Sequence, residues 1–319
     1  MKEEKPPVPF MRWCLGMFCG SIFTFTYLLA PPYVISSILA LALRYPDGNT
    51  SFIYALPLIL SILTPPRAMP TVVGWLSPML DYFQFECITE NEETLDANLT
   101  KGKNYIFACQ PHGVISFCGM CSSVYRDPKH RRVQTAVASA LLKFPILKNV
   151  MGIFSLTDAS GSNLKKILKR PGTEGSVVIY TGGIAELFKS CRTQERLFIS
   201  QRKGFIKLAL REGVDIVPIY LFGNTSCLSI MKHGPLAKIS RRLKLSFTMF
   251  WGKWGLPIPR DDKLLYVAGK AIDIPKIAEP TQEDIDKYHQ KYVDEVVRIF
   301  NQYKGQAGEL YVGKSLFID

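Results

Sequence analysis

The chain lacks the patterns by which nucleic-acid-binding proteins are recognised. Its 319 residues contain no zinc-finger spacing, no aromatic RNA-binding signature and no long basic helix. We therefore expect no nucleic-acid partner, although 39 Lys and Arg against 27 Asp and Glu give a net charge of +12. That surplus favours other anionic partners, either a lipid headgroup surface or a phosphate-bearing ligand.

Motifs with their own chemistry are also scarce. No Gly-x-Ser-x-Gly elbow occurs, which argues against a serine hydrolase. The eight cysteines show no disulfide pattern, and the Cys118–Cys121 pair has no second pair to complete a metal site. We expect reduced cysteines in a core and no metal. Of only four histidines, His130 and His289 lie in charged, solvated-looking stretches and His233 follows a lysine.

Charge is absent from a long stretch near the N-terminus, where residues 13–43 form a run of 31 uncharged side chains. A membrane span needs about 20 apolar residues, and this run is too long for the core of a signal peptide. A second uncharged stretch follows a polar turn. Together they predict a membrane hairpin with arms at roughly 13–43 and 50–65, broken or kinked at Pro31-Pro32 and Pro57. The alternatives are two buried core helices, or a hairpin that embeds with its tip at the double proline.

The hairpin divides the chain into residues 1–69, a tail with the membrane segment, and residues 70–319, a globular domain. Arg12 and Arg67 flank the outer ends of the hairpin. The positive-inside rule therefore predicts that both ends, and with them the domain, face the cytosol.

The globular part alternates apolar runs with helix-like stretches, which predicts an α/β fold. The predicted strands are residues 105–109, 176–180, 215–222 and 264–269. The predicted helices are residues 134–142, 164–169, 203–212 and 281–303. The last helix begins with a Thr-x-x-Asp capping pattern at Thr281 and Asp284.

The most informative motif is the Gln-Pro-His-Gly sequence at residues 110–113. It follows the first predicted strand, which the proline ends, and the glycine permits a tight turn. His112 is thus expected at the carboxyl end of a strand, where ligands bind in open α/β sheets. A neutral imidazole there takes a proton from an alcohol near pH 7, so we predict that His112 is a general base. A purely structural histidine is the alternative.

Two further strand ends carry candidate residues. Gly182 and Gly183 follow the second strand and let a ligand approach backbone N–H groups. Glu186 follows this pair of glycines. It is a candidate to orient or charge-stabilise His112 or to contact substrate, and the alternative is an ordinary glutamate at the N-terminus of a helix. Asn224 follows the third strand and is a candidate hydrogen-bond donor to substrate, although turns favour Asn in any case.

Five sequence elements are specific when they are taken together and in order. They are Asp81-Tyr82-Phe83; Gln110-Pro111-His112-Gly113; Gly182-Gly183-Ile184-Ala185-Glu186; Arg202-Lys203-Gly204-Phe205 with Val217-Pro218-Ile219 and Phe222-Gly223; and Val267-Ala268-Gly269-Lys270-Ala271-Ile272. From about Met69 onward the chain resembles the type-2 diacylglycerol acyltransferase family, which includes monoacylglycerol and wax-alcohol acyltransferases. The resemblance implies a mixed sheet flanked by helices, as in glycerolipid acyltransferases, and acyl transfer from acyl-CoA to diacylglycerol.

The chain departs from the family pattern at several positions. Gln110 and Asn224 stand where the family has histidine and glutamate, which leaves reduced activity or a shifted acceptor preference open. Phe117 occupies the place of the aspartate in the His-x-x-x-x-Asp pattern of related enzymes, so Glu186 is the candidate substitute. The residues assigned to catalysis are His112 and Glu186, and those assigned to substrate binding are Gln110, Gly113, Gly182, Gly183, Arg202, Lys203, Gly204, Phe205 and Asn224.

The expected partners are acyl-CoA as co-substrate, diacylglycerol and the lipid bilayer, with no further cofactor; a homo-oligomer stays open. The implied location is the endoplasmic reticulum membrane, with the lipid droplet as a second site. Three other functions stay open: transfer to monoacylglycerol or a long-chain alcohol, a thioesterase, and a catalytically weak membrane lipid-binding or scaffold protein of the same fold.

Overall fold

The protein is described by a computed structural model that covers residues 8–126, 133–183, 186, 194–231 and 249–319. The helices are α1 (Phe10–Leu43), α2 (Gly48–Leu63), α3 (Pro70–Trp75), α4 (Pro78–Tyr82), α5 (Glu92–Thr100), α6 (Phe117–Tyr125), α7 (Ser139–Lys143), α8 (Leu147–Gly152), α9 (Gly161–Ile167), α10 (Gly204–Glu212), α11 (Gln282–Tyr303) and α12 (Glu309–Val312). The strands are β1 (Glu86–Thr89), β2 (Tyr105–Gln110), β3 (Gln134–Val137), β4 (Leu156–Asp158), β5 (Val177–Tyr180), β6 (Glu195–Leu197), β7 (Asp215–Phe222), β8 (Ser229–Ile230), β9 (Phe250–Trp251), β10 (Leu265–Ala268) and β11 (Leu316–Ile318).

In the part of the chain that the structure describes, seven strands form the central sheet in the order β1-β10-β7-β2-β5-β3-β4. Neighbouring strands run parallel except β10 and β7, which are antiparallel. The predicted mixed sheet flanked by helices is therefore confirmed. Every residue of β2 and β7 is buried, as expected for central strands that helices cover on both faces.

The sheet separates two apolar cores because successive side chains of a strand point to opposite faces. Phe107 and Cys109 of β2 pack on one face, with residues of α1, α4 and α6. Ile106 and Ala108 of β2 pack on the other face, with residues of α9, α10 and α11.

Helix α1 is in contact with the domain over its first half. Cys19 and Phe23 belong to the first core, the Thr24 hydroxyl donates to the Pro257 carbonyl, and Arg12 pairs with Asp81 at 2.5 Å. Within the described ranges, α1 is the one helix long and apolar enough to cross a membrane by length and composition. The division of the chain at residue 69 stays a prediction.

Helix α1 continues through both prolines to Leu43, so the alternative hairpin with its tip at Pro31-Pro32 is wrong. Its second half is supported by α2: the Tyr33 and Tyr54 rings lie 5.4 Å apart, and the Tyr33 hydroxyl donates to the Tyr54 carbonyl. Each of the two prolines lacks the backbone N–H that would donate within the helix. The helix tolerates the loss of these two hydrogen bonds because long helical stretches flank the prolines and α2 packs alongside. The turn between the arms lies at residues 44–47, at the polar turn that the sequence predicts, and the Asp47 side chain caps α2.

Two other predictions fail for identifiable reasons. Residues 134–142 are not one helix, since β3 pairs with β4 and β5 before the short helix α7 begins; sheet pairing overrides the local pattern. His289 is not solvated but 5% exposed, because it lies on the buried stripe of α11, and its Nε2 is 2.9 Å from the Ile199 carbonyl oxygen. His130 and His233 lie outside the described residues.

Candidate functional site

Three strand ends meet at one edge of the sheet. β2 lies between β7 and β5 and runs parallel to both, so their carboxyl ends are adjacent. His112 follows β2, Glu186 follows β5 and Asn224 follows β7. The side chains of Glu186 and Asn224 both reach the segment that carries His112, as the next contacts show.

The imidazole of His112 is half-buried and has a defined tautomer. Its Nδ1 lies 2.9 Å from the Gly113 carbonyl oxygen, which only accepts hydrogen bonds, so Nδ1 carries the proton. In the neutral ring Nε2 then holds a lone pair. Burial lowers the pKa of His112 below its ordinary 6.5, against a smaller opposing effect of the Gly113 carbonyl. The ring is therefore a neutral base at pH 7.

Glu186 holds the backbone on which His112 sits. One carboxylate oxygen accepts the His112 backbone N–H at 3.2 Å, and the other accepts the Phe198 N–H at 3.2 Å. Its carboxylate thus reaches the main chain of His112, and the ring nitrogen is oriented by Gly113 instead. Burial raises the pKa of Glu186 to about 7.

Asn224 is buried and donates to the same segment from the opposite side. Its Nδ2 lies 3.0 Å from the Pro111 carbonyl oxygen and 2.5 Å from that of His112. Its Oδ1 accepts the Cys118 N–H at 3.0 Å, at the start of α6. One amide group thereby fixes both ends of the turn around His112.

Two glycines are required by these close approaches. Gly113 has φ +65°, and a Cβ there would lie 2.5 Å from the Asn224 carbonyl oxygen. A Cβ at Gly182 would lie 1.7 Å from the Glu186 carboxyl carbon. Both positions exclude any side chain as long as Glu186 and Asn224 keep their places.

His112 opens into a cavity of about 400 Å³. The lining is mostly apolar and comes from widely separated segments: Tyr27 of α1, Met120 of α6, Leu141 of α7, Met151 of α8 and Ile179 of β5 are examples. Gly113 and Gly183 also line it. The volume lies in the range of small-ligand pockets, and the lining suits a hydrocarbon chain.

Gln110, Phe205 and Gly204 lie away from this cavity. The Gln110 oxygen accepts from the Tyr292 hydroxyl and from Thr181, whereas its Nε2 has no hydrogen-bond partner in the described structure. Phe205 packs on Tyr292, with ring centroids 4.9 Å apart, in the core on the other face of the sheet. Gly204 is the exposed first residue of α10.

The two basic candidates differ in their surroundings. Arg202 is exposed and stacks on the Phe198 ring at 5.3 Å. A Cβ on Gly183 would lie 3.9 Å from its guanidinium, which places Arg202 beside the glycine turn that lines the cavity. Lys203 instead pairs with Asp286 of α11 at 2.7 Å.

The sequence does not single out Tyr180, which packs edge-on against the His112 ring at 4.6 Å and donates to the Ser116 hydroxyl at 2.7 Å. The feature of the sequence that points to Tyr180 is its position directly before the Thr-Gly-Gly turn. Within the described ranges, no cluster of three or more His, Cys, Asp or Glu side chains could hold a metal ion.

A neutral imidazole at the opening of an apolar cavity has the chemistry needed to accept a proton from a ligand with a hydrocarbon part. A family model described as Diacylglycerol acyltransferase matches residues 71–313, and the chain belongs to this family. It is similar to Diacylglycerol O-acyltransferase 2 of Homo sapiens, 29% identical over 72% of this chain and 62% of that protein. The same-named protein of Dictyostelium discoideum is 31% identical over 73% of this chain and 74% of that protein. The chain thus spans less than two thirds of the human relative.

Among solved structures, the chain is similar to the 1-acyl-sn-glycerophosphate (LPA) acyltransferase PlsC from Thermotoga maritima. The sequences are 12% identical, and the match covers 90% of this chain and 97% of that chain with a TM-score of 0.42.

Proposed function

We propose that the protein transfers an acyl group from acyl-CoA to diacylglycerol and so makes triacylglycerol. The observation that carries this proposal is the Nδ1-protonated imidazole of His112, whose basic Nε2 belongs to a ring lining an apolar cavity of about 400 Å³. Membership of the diacylglycerol acyltransferase family supports it. The apolar helix α1, which also lines the cavity through Tyr27, supports a site supplied from a membrane.

In the proposed reaction His112 Nε2 accepts the proton of the acceptor hydroxyl while that oxygen attacks the thioester carbonyl carbon. A tetrahedral intermediate forms, its C–S bond breaks, and CoA leaves as a thiolate that takes the proton back from the imidazolium. The ester is the other product, and no acyl-enzyme is formed. Backbone N–H groups at Gly113 or at Gly182-Gly183 would stabilise the oxyanion, since both turns border the site.

The other site residues have proposed roles that follow from their contacts. Glu186 and Asn224 are positioning residues, since both bind the main chain at His112. Arg202 would bind a phosphate of CoA, because it is exposed beside Gly183. We place the protein in the endoplasmic reticulum membrane, or at lipid droplets, with the catalytic domain in the cytosol.

Acyl transfer in membranes that contain the full chain tests the proposal. Labelled acyl-CoA is offered with diacylglycerol, monoacylglycerol or a long-chain alcohol, and all lipid products are resolved. Triacylglycerol that depends on diacylglycerol and vanishes in His112→Ala is the expected result. His289→Gln is the matched control, because this second buried neutral histidine lies on α11, across the sheet from the cavity.

Other outcomes would replace the proposal. Product with monoacylglycerol or alcohol alone would change the acceptor, and free fatty acid without acceptor dependence would indicate a thioesterase. Binding of acyl-CoA without any product would indicate a lipid-binding protein. Full activity of His112→Ala would refute the assignment of the base.

A further inference from the structure

A second apolar surface lies outside the cavity, on residues 249–256, which we name the tryptophan loop. Met249, Trp251, Trp254 and Leu256 all expose large apolar side chains, and Trp254 is 70% exposed. Isolated exposed apolar residues are common, but four within eight residues form a patch of the kind that marks an interaction site.

The loop is built to hold Trp254 outward. The Gly252 N–H donates to the Leu256 carbonyl at 2.7 Å, and the Lys253 N–H donates to the Ile258 carbonyl at 2.7 Å. Trp254 itself has φ +54°, a left-handed conformation that is uncommon for a bulky residue and costs free energy. No packing inside the described protein accounts for that cost, since the side chain faces outward.

The loop lies beside helix α1. The Lys253 ammonium is 4.5 Å from the centroid of the Trp13 ring on α1 and 5.6 Å from that of Trp254. At the other end of the loop, Phe250 contacts the Tyr27 ring of α1 at 6.3 Å. The loop therefore follows α1 from Trp13 to Tyr27.

This part of α1 has an exposed apolar face of its own. The exposed large side chains repeat at intervals of three and four residues and are Met11, Leu15, Phe18, Ile22, Phe25 and Leu29. No charged side chain lies between Trp13 and Leu43. The tryptophan loop thus lies against the helix that is long and apolar enough to enter a membrane.

We propose that the tryptophan loop is a second membrane contact, with Trp254 seated in the headgroup region of the leaflet that α1 enters. Tryptophan prefers this region, because its ring is apolar and its N–H needs a polar partner. Lys253 lies between the Trp13 and Trp254 rings, and its ammonium pairs with Asp261 at 2.7 Å, which holds this end of the loop against the domain. The two membrane contacts, α1 and the tryptophan loop, would together fix the depth and tilt of the globular domain relative to the bilayer. Helix α1 alone would leave both free. The inference does not depend on the chemistry at His112.

The test is tryptophan fluorescence of the full chain in phosphatidylcholine nanodiscs with brominated acyl chains. The reporter variant keeps Trp254 and replaces Trp13, Trp75 and Trp251 by Phe. The matched control replaces all four tryptophans by Phe and carries Gln290→Trp, on the exposed side of α11 and across the sheet from α1. Lipid bromines should quench Trp254, more strongly when they lie near the glycerol than near the chain end, and should leave the control unquenched.

Two results would overturn the inference. Trp254 could be quenched by aqueous iodide as strongly as the control and not by lipid, which would place the loop in water. It could also be protected from both quenchers, and more so at high protein-to-lipid ratio, which would show that a second copy covers it. If the reporter variant does not fold, the native chain and Trp254→Phe are compared, and lipid quenching must fall in the variant.

Discussion

The Nδ2 atom of Asn224 lies 2.5 Å from the carbonyl oxygen of His112, although the two residues are 112 positions apart in the chain. The same amide donates to Pro111 and accepts from the Cys118 N–H. The position of the proposed base is thus set by a residue of a neighbouring strand, and a change at Asn224 should affect the reaction without any contact to substrate.

The first prediction concerns Asn224→Ala. Three buried backbone groups would lose their partner, which costs ~1–3 kcal/mol for each group left unsatisfied. His112 would no longer be held in place, and we expect kcat to fall roughly tenfold to a hundredfold with a much smaller change in KM. Steady-state kinetics in membranes and the midpoint of thermal unfolding measure the two effects.

Asn98→Ala is the matched control for this experiment. Asn98 also donates through Nδ2, to the Tyr105 hydroxyl at 3.0 Å, but at the opposite end of β2 from His112. This variant should lose stability and keep kcat. Equal losses of kcat in the two variants would mean that Asn224 acts only through overall stability.

The second prediction concerns the pH dependence of the reaction. The base must be neutral, and burial lowers the pKa of His112 below 6.5, so its active form persists to lower pH than for an exposed histidine. The acid limb of kcat/KM should therefore have its midpoint below 6.5. A profile of kcat/KM against pH measures it, and a midpoint clearly above 6.5 would contradict the burial argument. His112→Ala should lose about 10²–10⁴ in kcat at pH values above this midpoint, where the wild-type base is neutral.

The predicted and observed parts of this site differ for a physical reason. The strand at 105–109, the turn after it and the place of His112 in that turn follow from local sequence, because proline and glycine act within one or two residues. Gln110 and His112 diverge because β2 ends at Gln110 and the turn begins at Pro111. Ile106 and Ala108 face the α11 core, so Gln110 points there and binds Tyr292.

The roles of the other residues depend on contacts that sequence does not display. Asn224 appeared as a donor to substrate, yet its amide is occupied by the main chain around His112, a pairing that only the adjacency of β2 and β7 creates. The cavity is assembled from α1, α6, α7, α8 and β5, and none of these segments carries a motif for it. The local sequence pattern therefore indicates the histidine proposed as the base but not the cavity that it lines.

The third prediction concerns Glu186 and stability. Burial raises its pKa from 4.5 to about 7, so between these values the folded protein binds more protons than the unfolded chain. Stability should therefore fall as the pH rises from 4.5 to about 7 and change little through this group above that. The contribution is of the order of 3 kcal/mol.

Glu186→Gln removes the titrating group. The midpoint of thermal unfolding of this variant should therefore lack the fall that Glu186 causes between pH 4.5 and about 7. Glu174→Gln is the control, since it removes one carboxylate from a short helical turn away from His112. An unchanged slope in Glu186→Gln would show that the carboxyl group titrates at its ordinary pKa. The midpoint of thermal unfolding of Glu186→Gln should also be lower at all pH values, because the glutamine side-chain N–H then faces a backbone N–H donor.

The fourth prediction concerns the proposed role of Arg202 in binding acyl-CoA. Arg202→Ala should raise the KM for acyl-CoA several-fold and leave the KM for diacylglycerol unchanged, because Arg202 lies beside Gly183 and its proposed partner is a CoA phosphate. Lys207→Ala removes the same charge one turn along α10 and should have no such effect. Equal changes in the two variants would indicate a general surface charge effect, and none in either would remove Arg202 from the site.

The last prediction concerns the acyl-chain preference set by the cavity. Met151 of α8 lines it beside Phe154, and Phe154 in turn packs on Phe23 of α1 at 5.6 Å. A tryptophan at position 151 would fill space that the helices around it cannot readily give up, since packed cores resist added volume. Met151→Trp should therefore reduce transfer of long acyl chains more than transfer of short ones.

A series of acyl-CoA substrates of increasing chain length measures this preference as kcat/KM for each length. Leu310→Trp makes the same type of change on the exposed side of α12 and should leave the profile unchanged. A uniform loss at all lengths in Met151→Trp, with normal unfolding behaviour, would place the acyl chain outside this cavity. A selective loss would assign the cavity to the acyl chain.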